Sequence, residues 1–62
     1  MGNYAEAIEQ KNITASYFLG VAYMAEKNYQ KAAGEFKIVI DLDPQYKSTS
    51  TLYKICLDKI KE

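Results

Sequence analysis

The sequence predicts an all-α fold: an antiparallel helix–turn–helix hairpin with a short N-terminal helix before it and a C-terminal cap helix after it. Three observations predict this. Apolar residues recur at helical spacing between sparse punctuation marks, Gly2, Gly20, Gly34 and the single Pro44. No stretch alternates with period two for long enough to make a strand. The chain has 62 residues, 48% hydrophobic and 26% charged, which suits one small helical domain over 1–62 and is wrong for disorder.

The first short helix is expected over 3–11, with Asn3 as N-cap and Glu6 closing a capping box three residues on. The second runs from about Thr14 to Lys27, with Asn12 as its N-cap. The third starts at Tyr29 or Gln30 and runs to about Leu42, where Pro44 enforces the stop. The last spans about Ser48 to Lys61, capped by Ser48, Thr49 or Ser50. Lys54, Lys59 and Lys61 lie toward its C-terminus, where cations suit the helix dipole. One junction has two readings. Between Asn3 and Leu19 there is no Gly or Pro, and Asn12, Ile13 and Thr14 are weak helix formers but not breakers. The first two helices could therefore fuse into one helix roughly 36 Å long.

Composition removes several functions. Eight lysines balance eight carboxylates, with no Arg and no His. A neutral chain without Arg argues against a nucleic-acid partner, which needs a basic face. No segment approaches the roughly 20 apolar residues of a membrane span, and the N-terminus lacks the basic and apolar regions of a secretory signal. One Cys without His offers neither a zinc site nor a disulfide within the chain, and it fits a reducing, cytoplasmic setting. Without His, and with carboxylates on exposed helix faces, catalysis has almost no raw material. The expectation is a non-enzyme with no cofactor. Cys56, on an apolar face, reads as a buried structural thiol. Asp41 and Asp43 read as a solvated helix end. Asn12-Ile13-Thr14 matches a glycosylation sequon, but Asn12 reads as a cap.

Internal echoes come next. Asn3-Tyr4-Ala5-Glu6-Ala7 and Asn28-Tyr29-Gln30-Lys31-Ala32 share Asn-Tyr-x-x-Ala. From Ile13 to Tyr46 the chain carries Leu19-Gly20-x-x-Tyr23, then Tyr29-x-x-Ala32, Phe36 and Leu42-Asp43-Pro44. Gly20 in mid-helix costs about 1 kcal/mol against Ala, which a helix accepts where a neighbour must approach closely. Ala32 supplies the small residue on the facing helix, and Leu19, Tyr23 and Phe36 are the large side chains around that contact. The same small-residue contacts would also serve an unrelated mini-bundle of three or four helices. The order of these residues resembles one tetratricopeptide repeat, a 34-residue helix–turn–helix unit. There are departures. Ser16 stands where the family has a large aromatic, Lys27 where the turn usually has Gly, and Lys54 where a following repeat would have Gly. The resemblance implies one complete repeat over 13–46 between two incomplete ones, whereas solenoids usually need about three repeats.

On a helical wheel, Ser16, Leu19, Gly20 and Tyr23 share the face toward the third helix, and Ala15, Phe18 and Ala22 a face for a preceding element. Thr14, Tyr17, Val21, Met24 and Asn28 remain. The resemblance implies that this last face lines a groove for peptide ligands, with Gln45 and Tyr46 at its edge. Tyr17 and Val21 occupy positions where carboxylate-binding members carry polar residues, so an apolar or amphipathic partner segment is expected. Met24 adds adaptability to such a surface. The alternative is a self-assembling helical domain, a homodimer or a domain-swapped form, that buries the same residues. The partner is thus a protein or peptide, a second copy, or both.

Overall fold

The computed structural model describes residues 2–62, with side chains from Ala7 onward. Three helices follow in order: α1 (Gly2–Ala25), α2 (Tyr29–Leu42) and α3 (Thr49–Lys61). The helix expected over 3–11 is not a separate element, because α1 runs unbroken through Asn12, Ile13 and Thr14. Asn12 is an exposed interior residue of α1 and caps nothing. The physical reason lies in Ile13, which is 1% exposed. Burying an isoleucine contributes roughly 1.5–3 kcal/mol, which offsets propensity deficits of at most about 0.7 kcal/mol each in the three weak formers. The capping box of Asn3 and Glu6 lies outside the described side chains.

A tight turn at residues 26–28 reverses the chain. The Asn28 N–H donates to the Tyr23 carbonyl at 2.8 Å and the Lys27 N–H to that of Met24 at 2.9 Å. This is a Schellman closure, with Lys27 at φ 63° in the left-handed position that usually falls to Gly. Asn28, placed on the groove face by the wheel, is instead the N-cap of α2: its side-chain oxygen accepts the Lys31 N–H at a long 3.5 Å. Cross-helix contacts give the pairing direction. The Lys31 ammonium lies over the Tyr23 ring, and the Phe36 ring stands against Tyr17 and Gly20. Rising numbers on α2 meet falling numbers on α1, so the hairpin is antiparallel.

The chain leaves α2 at Asp43, whose extended backbone (φ −150°) is what a following proline imposes. The Asp43 carboxylate accepts the Gln45 N–H at 3.1 Å, a turn-building role. At the start of α3, Ser48 makes no side-chain cap, while the fully buried Thr49 donates its hydroxyl to the Tyr46 carbonyl at 2.6 Å. This helix packs against α2 through Leu52, Tyr53 and Cys56, and α2 lies between α1 and α3.

The core is small. Ala32, Ala33 and Phe36 of α2 pack with Cys56 of α3, flanked by Tyr17, Tyr23, Met24, Tyr29, Leu52 and Tyr53. Helix α2 buries one stripe, Ala32, Ala33, Phe36 and Val39, with Tyr29 and Ile40 half-buried at its edges. Burial pushes the Cys56 thiol pKa up, which keeps it protonated and unreactive near neutrality.

Candidate functional site

Gly20 fixes how closely the two helices meet. A Cβ placed there would fall 2.5 Å from Cε1 of Phe36 and under 3 Å from two more of its ring atoms. The fully buried Phe36 ring therefore fills the space that the glycine leaves open. Tyr23, Tyr29 and Ala32 complete this contact zone. Leu19, expected within it, lies outside: it is 47% exposed, about 100° round α1 from Gly20.

The inward face of α1 is thus rotated by about 60° from the wheel assignment. It comprises Ile13, Gly20, Tyr17 and Met24, with Ser16 and Tyr23 at the flank. Two residues assigned to the groove, Tyr17 and Met24, are half-buried against the core. Val21 remains on the surface. Apolar residues also cover the side of α1 turned away from α2. There Ile8, Ala15, Phe18, Leu19 and Ala22 are exposed along one stripe, Ile8 at 61% and Phe18 at 60%.

At one edge of the hairpin, residues far apart in sequence converge. The hydroxyls of Thr14 and Tyr46 are 3.4 Å apart, a weak hydrogen bond. The rings of Tyr17 and Tyr46 meet edge to face, with centroids 5.5 Å apart and planes at 76°. Phe18 meets Tyr17 edge-on as well, at 6.0 Å and 75°. The Lys47 ammonium reaches over all three rings, 5.0 Å from Tyr17, 5.4 Å from Tyr46 and 5.9 Å from Phe18. Its backbone is left-handed, at φ 47°. Thr14, Tyr17 and Tyr46 were expected together on a binding face. Phe18 and Lys47 were not expected with them, although their places beside Tyr17 and Tyr46 in sequence hint at it. Pro44 directs the chain out of α2 and so brings Tyr46 back over α1.

Among the described residues, no group of three or more ligating side chains stands ready for a metal ion, and no helix is long and apolar enough to cross a membrane. A shallow depression of about 280 Å³ lies elsewhere, lined by Lys27, Asn28, Tyr29, Gln30 and Ile60.

The hairpin of α1 and α2, the glycine under an aromatic ring and the proline exit coincide with a wider pattern. The family model described as tetratricopeptide repeat matches residues 13–46, more than half of the chain. The chain belongs to the tetratricopeptide repeat family. No curated protein and no solved structure matches it. The match spans the C-terminal half of α1, all of α2 and the loop to Tyr46. In this tetratricopeptide repeat chain, α3 follows where the first helix of a further repeat would begin. The overhanging start of α1 precedes the matched region. Membership of the family suggests a protein–protein interaction module.

Proposed function

We propose that this chain is a non-catalytic interaction module that holds an apolar or amphipathic segment of a protein partner against the surface of α1. The segment lies along Val21, Thr14 and the exposed parts of Tyr17 and Tyr46, with Met24 as a deformable border. What supports this reading is the convergence of Thr14, Tyr17 and Tyr46 from two separate parts of the chain beside an exposed Val21. Half-exposed aromatic rings offer large contact areas with little rotamer entropy to lose.

The test uses peptides selected from a random library against the immobilised chain. Val21 is on the surface, so Val21→Lys leaves the hairpin intact, which its helix content and melting temperature verify. The selected peptides should bind this variant at least about tenfold more weakly, because a lysine head is forced into an apolar contact. Equal binding to both proteins would overturn the groove assignment.

A second reading rests on a different observation. The exposed stripe of Ile8, Ala15, Phe18, Leu19 and Ala22 lies opposite α2 and is fit to pack against another helix. A second copy of the chain is the proposed occupant, giving a self-assembling helical domain.

A further inference from the structure

We propose that Tyr17, Phe18 and Tyr46 form a binding site for an alkylammonium group, a lysine side chain or its methylated form on a partner, and that Lys47 occupies this site as an internal placeholder. The observation is the convergence of three rings from two parts of the chain on one ammonium, with centroid distances of 5.0, 5.4 and 5.9 Å. Ring faces carry negative potential and attract a cation within about 6 Å, and aromatic cages use this to hold quaternary ammonium groups. The two edge-to-face ring pairs fix the walls at steep angles to each other, 75° and 76°.

The second observation is the backbone of Lys47. Its φ of 47° is unfavourable for a residue with a Cβ, and such conformations persist where surrounding contacts hold them. The ammonium–ring contacts are such a hold. Lys47 is exposed, and its loop is held on one side by the Gln45 N–H bonded to the Asp43 carboxylate and on the other by the buried Thr49. The side chain can therefore leave without dismantling the hairpin. An incoming ammonium takes its place and recovers the same ring contacts.

This rests on the groove reading in one respect: the rings of Tyr17 and Tyr46 serve both, so the partner segment would carry a basic residue at the end of the groove nearest Lys47. The cage itself is testable without any partner. Tetramethylammonium chloride is titrated into the wild-type chain and the Lys47→Asn variant, with ring resonances of Tyr17, Phe18 and Tyr46 followed by NMR and potassium chloride as the control. Asn tolerates the left-handed backbone, so the variant empties the cage without adding strain. Saturable ring shifts are expected in Lys47→Asn, with apparent affinity roughly threefold or more above wild type, in keeping with a contact of this exposed kind. Adding Phe18→Leu, at a site already on the surface, should weaken that binding. Shifts that do not saturate, that match the potassium control or that ignore Phe18→Leu would overturn the proposal. A further readout needs no ligand. The Lys47 ε-methylene protons should be shifted upfield by the rings in wild type and should relax toward ordinary values in Phe18→Leu. Ordinary values in wild type would equally refute the cage. Loss of peptide binding in Val21→Lys together with a silent tetramethylammonium titration would remove the cage and leave the groove. The reverse pattern would remove the groove and leave the cage.

Discussion

An alanine at Gly20 would drive its Cβ into the buried Phe36 ring, whereas one at Gly34 would meet nothing within 4 Å. Helix propensity alone favours alanine at both positions by about 1 kcal/mol. Gly34→Ala should therefore raise stability by about 0.5–1 kcal/mol. Gly20→Ala should lower it by roughly 1–2 kcal/mol, because overpacking a full core outweighs the propensity gain. Urea denaturation of both variants checks the pair. A stabilising Gly20→Ala would mean that α1 and α2 do not meet at this ring. That Gly20 marks a close approach was legible in the sequence. The sequence set Ala32 opposite Gly20 and Phe36 among three large neighbours, and the tertiary arrangement selects Phe36 as the side chain that fills the space.

At the scale of the element, the turn between α1 and α2 carries a local conflict. Lys27 sits in the left-handed position of a Schellman closure, at a cost of about 1 kcal/mol to a residue with a Cβ. Lys27→Gly should raise the urea midpoint and add about 0.5–1 kcal/mol, without changing helix content. An unchanged midpoint would place that turn in another geometry. Helix α2 was readable because one side is polar, with Gln30, Lys31, Lys37 and Asp41 facing out, so a single inward face exists. Helix α1 lacks such a contrast. Tyr17, Phe18, Leu19, Val21, Tyr23 and Met24 are distributed nearly all round it, so the wheel admits several inward faces about equally well. The structure chose the one that sets Ile13, Gly20 and Met24 inward, which moved Tyr17 toward the core and Leu19 out of it.

For the whole molecule, the helices differ in length: α1 has 24 residues against 14 in α2, about 36 Å against about 21 Å. The molecule is accordingly elongated, 46 × 19 × 14 Å, with much of α1 extending past its partner helix. A single repeat buries little surface, and the stripe of Ile8, Phe18 and Leu19 stays in water. If a second copy covers that stripe, sedimentation equilibrium will show mass rising with concentration, and the Leu19→Lys variant will remain monomeric with its helix content retained. A wild-type chain that stays folded and monomeric across the range would exclude self-assembly and leave the stripe to a different partner. The all-helical class, the stop at Pro44, the buried stripe of α2 and the repeat over 13–46 were determined by the sequence alone, because the first three rest on local periodicity or on the backbone limits of one residue and the repeat on an order of residues that resembles its family. Only the tertiary structure decided that α1 is continuous, which of its apolar faces turns inward, and that Lys47 meets Tyr17, Phe18 and Tyr46. Those outcomes depend on competition between burial and propensity, and on side chains brought together by chain reversal, neither of which is encoded in any short stretch of the sequence.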